Sequence, residues 1–241
     1  FLITTPWPLI IILLSFLAWL SSRSIKLSIG TAISFFLIGY FGMWKDTMST
    51  MAIISVATLI CLILGAPIGI LMARSQRLTN ILSPVLDMMQ TIPTFVYLIP
   101  IIMLLGIGKV PGLLAVCVYA IPPIVRLTNL GIREVDKRFV EAAKALGIKK
   151  RVILFKIEIP LALPSIMTGV NQTIMMALAM VVIASMIGVS GLGVPILRSI
   201  SNQFLALGLM NGLAIVALAI IFDRISQNYA RRIQKHKNAK R

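Results

Sequence analysis

Few groups in this chain could do covalent chemistry. Its 241 residues include seven carboxylates, two cysteines and a single histidine. The carboxylates are Asp46, Asp87, Glu134, Asp136, Glu141, Glu158 and Asp223, and none falls at the centre of an apolar run. Cys61 and Cys117 lie within apolar runs and read as small packing residues, with no support for a disulfide. His236 stands in a basic tail, so no metal-ligand set is expected. A Gly-rich phosphate loop of the Walker type is absent. The patterned residues lie instead in EAAKALGIKKRVILFKIEIP, from Glu141 to Pro160. This stretch is charged and helical in pattern, so its chemistry is that of recognition, not bond making.

That stretch interrupts a chain suited to lipid. Hydrophobic residues make up 59% and charged residues only 12%, with a mean hydropathy of +0.99. A soluble domain carries roughly a quarter of its residues charged. The apolar runs are long and show no strand alternation, so an all-α membrane protein is expected. A spanning helix needs roughly 20 apolar residues. Seven spans are expected, over residues 6–20, 27–44, 51–73, 85–107, 112–125, 164–187 and 204–222. The segment 1–20 that holds the first has no basic leader region and no small-residue cleavage site, so it does not read as a signal peptide. Phe1 in place of Met is expected for a trimmed start.

The cations orient these spans. With the C-terminus in the cytoplasm, inner segments hold Arg23 and Lys26, Arg74 and Arg77, nine basic residues from Arg126 to Lys156, and seven from Arg224 to Arg241. Outer segments hold only Lys45, Lys109 and Arg198. This asymmetry follows the positive-inside rule. The expected topology has the N-terminus outside, the C-terminus inside and the loop 126–160 in the cytoplasm. Ion-coupled carriers need a buried ionisable group or a dedicated ion site. No carboxylate here supplies one, so energy for transport is expected from another subunit. The net charge of +16 lies on one membrane side without interleaved aromatics, so nucleic acid is not an expected partner.

Within the loop, Ile132, Val135, Phe139, Ala142 and Leu146 recur at helical spacing. Gly147 supplies a residue that tolerates the left-handed conformation ending a helix. A second run, 149–157, precedes Ile159-Pro160, which is expected to break the pattern. Two short helices with a narrow apolar ridge follow, kept low by Ala142 and Ala143. Composition alone permits a helix lying on the lipid surface.

The spacing points elsewhere. Glu141-Ala142-Ala143, three residues, Gly147, nine residues, then Ile157-x-Ile159-Pro160 resembles the EAA loop of ABC importer permeases, with Ile159 where Leu is common. The segments MQTIPTFVYLIP (89–100), GIGKVPG (106–112), IPPIVRLTNLGI (121–132) and GVNQTIMMALAMVVIASMIGVSGLG (169–193) resemble the glycine betaine/proline branch of that family. The resemblance implies a five-helix type I importer core, here with two additional N-terminal spans. It divides the chain into N-terminal spans (1–46), a transport core (47–226) containing the loop, and a basic tail (227–241). It also implies that Glu141, Ala142, Ala143, Gly147, Ile157, Ile159 and Pro160 couple the chain to an ATP-hydrolysing subunit. Two such subunits, which bind ATP and Mg, a second copy of this chain and a periplasmic or tethered binding protein are the implied partners. No cofactor and no catalysis are expected in this chain.

A translocation path is expected along the fourth span. Pro93 and Pro100 each remove a backbone donor and loosen the helix. Non-helical backbone in a membrane is tolerated only where protein or a water-filled cavity covers it. Gln90, Thr91, Pro93, Thr94, Phe95 and Tyr97 are therefore candidates. Phe95 and Tyr97 either offer π-faces to a quaternary ammonium group or pack in the core. Asn171 and Gln172 either bond to neighbouring helices or face a polar path. The residues 190–193 are expected to form an outer turn. The basic tail either anchors topology or binds anionic lipid in a salt-sensitive way. The expected function is ATP-driven import of glycine betaine or proline betaine across a bacterial inner membrane. Proline, choline, carnitine or trimethylamine N-oxide are alternative cargoes, and a secondary carrier is the alternative class.

Overall fold

The computed structural model describes residues 7–238, with side chains described for 7–20 and 23–228. The beginning of the first expected span at Pro6 and the side chains of the tail, including His236, lie outside the described residues. Two apolar helices of 16 residues come first, α1 (Trp7–Ser22) and α2 (Ile25–Tyr40). The long helix α3 (Trp44–Arg74) follows. Then come α4 (Gln76–Thr91), α5 (Thr94–Leu105) and α6 (Lys109–Arg133). Two short helices, α7 (Lys137–Ala145) and α8 (Lys150–Ile153), leave the bundle. A π turn (Leu154–Glu158) joins α8 to α9 (Ile159–Ala184), and a single 3₁₀ turn (Ser185–Ile187) ends that run. The last helices are α10 (Gly193–Asn202) and α11 (Leu205–Asn238). No strand occurs among the described residues.

Four of these stretches are long and apolar enough to cross a membrane: Trp44–Arg74, Lys109–Arg133, Lys150–Ile187 and Leu205–Asn228. The structure alters the expected set of seven spans at two places. The expected fourth span, 85–107, is two helices, α4 and α5, bent by 100°. Pro93 has no N–H to continue the ladder, and the residue before a proline is pushed out of the helical region. Ile92 accordingly sits at φ −66°, ψ 128°. The helix that contains the expected sixth span, 164–187, starts earlier, at Lys150, and its helical run continues for 38 residues. Ile159-Pro160 does not break it. The Ile159 N–H bonds the Leu154 carbonyl, five residues back. This wider turn accommodates the proline, which then sits at the start of α9 where a missing donor costs little. The apolar helices α1 and α2, of 16 residues each, overlap the expected spans 6–20 and 27–44.

The core is built on α6, which packs between α3 and α9. Glycines set these distances. A β-carbon on Gly131 of α6 would stand 2.6 Å from the Ser165 β-carbon of α9, and one on Gly169 would stand 3.1 Å from the Leu127 β-carbon. Small residues let helix backbones approach closely, which is how helices associate where lipid competes for apolar contact. The inner residues of this seam are small or β-branched: Ala115, Val116, Ala120, Ile124, Ala177 and Val181 are all buried. The helix α11 also packs against α9, and α1 packs against both α2 and α11. A turn is present where one was expected, at residues 190–193. Gly191 takes φ +148° there, and the Leu192 N–H donates to Thr50 Oγ1 at 2.9 Å, tying the turn to α3.

Candidate functional site

Residues 134–158 form an excursion from the bundle. It leaves at the end of α6 and returns through the π turn. The chain turns at residues 134–136, where Asp136 caps α7: its carboxylate accepts the Arg138 N–H at 2.9 Å. The Arg138 side chain and backbone both donate to Asp136, and these bonds hold its carboxyl below the usual carboxylate range. The α7 helix ends in a Schellman arrangement. The Ile148 N–H bonds the Ala143 carbonyl at 3.1 Å, and the Gly147 N–H bonds the Lys144 carbonyl at 2.9 Å. Gly147 sits at φ +72°, where a β-carbon is penalised.

The expected ridge is therefore shorter than its spacing implied. Helical periodicity does not run through the cap at Asp136, so Ile132 belongs to α6 and is buried, and Val135 packs on the core. Ala143 also turns inward, while Glu141 and Ala142 are exposed. The apolar surface that remains comes from Phe139, Leu146 (79% exposed), Val152 and Phe155 (56% exposed). Ile157 is half-buried in the π turn, and Ile159 and Pro160 are half-buried at the start of α9. Charged side chains surround these apolar ones.

Sequence reasoning missed the residues that hold the excursion. At its exit, Arg133 donates to Gln76 Oε1 at 2.7 Å, Thr79 Oγ1 at 2.8 Å and the Met72 carbonyl at 3.0 Å. At its re-entry, Glu158 is buried and pairs with Arg74 at 2.6 Å. Both contacts end on residues 72–79, the corner between α3 and α4. These partners are 54 to 84 residues apart in sequence. Arg74 stood out in the sequence only as a cation at a span end.

That corner leads to the other candidates. Gln90, Thr91, Pro93 and Phe95 lie exposed around the bend between α4 and α5, and Thr94 and Tyr97 are half-buried there. Tyr97 points to α6, edge-on to Tyr119 with ring centres 6.1 Å apart, and its hydroxyl donates to the Met89 carbonyl across the bend. Arg126 of α6 pairs with Asp87 of α4. Asn171 is engaged elsewhere: its amide donates to Asp223 at 2.7 Å and accepts from Ser226 at 2.6 Å, both on α11. Gln172 is exposed.

Residues 65–235 match the model of the family described as "Binding-protein-dependent transport system inner membrane component". The chain belongs to this family. It is 47% identical over 230 residues to the glycine betaine/proline betaine transport system permease protein ProW of Escherichia coli (strain K12), covering 95% of this chain and 65% of that protein. The Salmonella typhimurium protein of the same name is 50% identical over 221 residues, covering 92% of this chain and 62% of its own length. The chain thus spans a little under two thirds of these two relatives. The glycine betaine/carnitine transport permease protein GbuB of Listeria monocytogenes is 43% identical over 226 residues, 93% of this chain and 80% of its own.

Among solved structures, an inward-facing MetNI methionine ABC transporter superposes with a TM-score of 0.70 at 20% identity, covering 77% of this chain and 93% of that one. An amino acid ABC transporter solved with histidines gives 0.67 at 20% identity, covering 81% and 96%. The family member described here therefore has the fold of ABC transporter membrane subunits. Both matched chains are covered almost whole, whereas about a fifth of this chain lies outside the superposition.

Proposed function

We propose that this chain is the permease subunit of an ATP-driven importer for a compatible solute, with glycine betaine or proline betaine as cargo. The observation that carries the reading is the excursion 134–158. The spacing Glu141-Ala142-Ala143, Gly147, Ile157, Ile159, Pro160 falls on a structure that stands off the bundle with an exposed apolar face. It is firmly bonded to the membrane helices at both ends. Such a surface transmits force from a protein that moves. In this reading the mover is an ATP-hydrolysing subunit that binds ATP and Mg. Two copies of it serve two copies of this chain, and a periplasmic or tethered binding protein delivers cargo.

The reading places the N-terminus outside and the C-terminus in the cytoplasm of a bacterial inner membrane, on the distribution of Lys and Arg. It treats 1–46 as additional spans, 47–226 as the transport core and 227–241 as a basic cytoplasmic tail. The cargo assignment rests on the relatives at 43–50% identity, named for glycine betaine with proline betaine or carnitine. Gln90, Thr91, Pro93, Thr94, Phe95 and Tyr97, at the helix break, are proposed to line the path, with Asn171 and Gln172 on the lever helix α9. Carnitine, choline, proline and trimethylamine N-oxide compete as cargoes. The test is uptake of radiolabelled glycine betaine by liposomes holding the chain with its ATPase and binding protein. Uptake that requires ATP supports the reading. ATP hydrolysis without uptake removes the cargo. Uptake that follows an ion gradient and ignores ATP overturns the importer itself.

A further inference from the structure

We propose that Arg74 and Glu158 are positioning residues that carry movement of the 134–158 excursion into the broken helix pair α4–α5. This rests on the transport reading above and names the route inside it. The argument begins with the π turn. The Ile159 N–H reaches the Leu154 carbonyl, one residue further back than in an α-helix. One residue of an α-helix corresponds to about 100° of rotation. The turn therefore changes which residues face the bundle just where the excursion rejoins it. Glu158, the last residue of the turn, faces inward and is 8% exposed. Its carboxylate meets the Arg74 guanidinium at 2.6 Å.

Arg74 is the last residue of α3, and Ser75 is the N-cap of α4, accepting the Leu78 N–H at 3.4 Å. Displacing the guanidinium thus displaces the beginning of α4. That helix has Leu86 as its one buried residue, and beyond the corner its Asp87 pairs with Arg126 of α6. Its far end is the 100° bend that carries Gln90, Thr91, Pro93 and Phe95. Arg133 provides the pivot. Its bonds to Gln76, Thr79 and the Met72 carbonyl fix the same corner to α6, which is the centre of the core. The corner is therefore tied to a fixed helix at one point and to the moving excursion at another. Burying an ion pair is weak evidence for stability, because desolvation offsets much of the attraction. A pair that joins a lever to a corner has a different use: it fixes direction.

The experiment is a charge swap in the reconstituted complex with its ATPase and binding protein. Two quantities are read, glycine betaine taken up per ATP hydrolysed and the ATP-dependent change of a spin label on Ile92. Arg74→Glu and Glu158→Arg alone should each lower the uptake ratio about tenfold, the size of a typical coupling energy between sites. The double variant, Arg74→Glu with Glu158→Arg, should recover most of the loss. Glu158→Gln, which keeps the shape and removes the charge, should fall between and serves where a reversal fails to assemble. A wild-type ratio in Glu158→Gln, or a double variant no better than its parents, overturns the proposal. If the wild type itself moves no glycine betaine with ATP, the cargo reading fails. The Ile92 label then still decides the route: an ATP-dependent change lost in Glu158→Gln supports it, and a change that persists overturns it.

Discussion

Gly69 of α3 faces the backbone of Val125 in α6 so closely that a β-carbon on it would lie 2.6 Å from the Val125 carbonyl oxygen. The obstacle is backbone, so no side-chain rotation relieves it. The neighbouring Thr128 β-carbon would be 2.7 Å away. The two helices are held at the distance that glycine permits, and the candidate corner at residues 72–79 begins one turn further on.

Gly69→Ala should therefore force α3 and α6 apart and cost about 1–3 kcal/mol, as overpacking does. Gly30→Ala in α2 is the matched control, because a β-carbon there meets nothing within 4 Å. It should be neutral or slightly stabilising, since alanine is the better helix former by about 1 kcal/mol. Thermal unfolding of the two variants in detergent separates them. Equal melting temperatures would mean that the close approach does not hold the core.

The excursion makes a different demand on glycine. Gly147 has open space around its missing β-carbon but stands at φ +72°. Conformation, not clash, excludes other residues. Under the proposed function, Gly147→Asn should keep most ATP-driven uptake, because asparagine visits the left-handed region with little penalty. Gly147→Val should lose most of it, since a β-branched residue there is strained. Both proteins should melt close to the wild type, because the site is exposed and outside the core. Loss of uptake in both variants alike would point to the side chain and not to the backbone angle.

Much of this was legible in the sequence, and the part that was not shares one cause. Apolar length marked α3, α6, α9 and α11, and the cation distribution separated loops from spans. The glycine ending α7 was visible because a left-handed position selects for it. Pro93 was visible as a perturbation, but a proline inside a span permits anything from a kink to a full turn, and α5 contains Pro100 without breaking. Pro160 misled for the same reason: the π turn before it removes the clash that would have ended a helix. Arg74 with Glu158, and Asn171 with Asp223, are pairs 84 and 52 residues apart. Their members sit in runs whose local pattern is complete without the partner, so no periodicity points from one to the other.

The cap at Asp136 has a pH signature. Arg138, through its side chain and its backbone N–H, holds the Asp136 carboxyl below its ordinary value. A lowered folded-state pKa means that the contribution to α7 is complete above the ordinary carboxylate range and is lost as pH falls through the lowered value. A spin label on Lys144 should thus keep constant mobility from pH 8 to about pH 5 and gain mobility only below about pH 4. Asp136→Asn, which still caps but carries no charge, should remove that dependence. A mobility change centred near neutral pH would rule out this cap as its origin.

The last prediction concerns the contact between α9 and α11. Both ends of the Asn171 amide are used: Nδ2 donates to Asp223 Oδ1 at 2.7 Å and Oδ1 accepts from Ser226 at 2.6 Å. Gln227 Nε2 donates to the same Asp223 oxygen at 2.6 Å. One carboxylate oxygen therefore satisfies two amide donors from two helices. Asp223→Leu strands both donors, and an unsatisfied partly buried group costs about 1–3 kcal/mol. Asp223→Asn retains an acceptor oxygen in the same place and exchanges a charged bond for a neutral one, a loss of about 1 kcal/mol. The melting temperatures should thus rank wild type, then Asp223→Asn, then Asp223→Leu. If the cluster only joins the helices, Asn171→Leu combined with Asp223→Leu should be no worse than Asp223→Leu alone, since the orphaned amide is gone. A double variant that loses the sum of both single effects would show that the two residues act independently. The bond between them would then contribute nothing to holding α11 against α9.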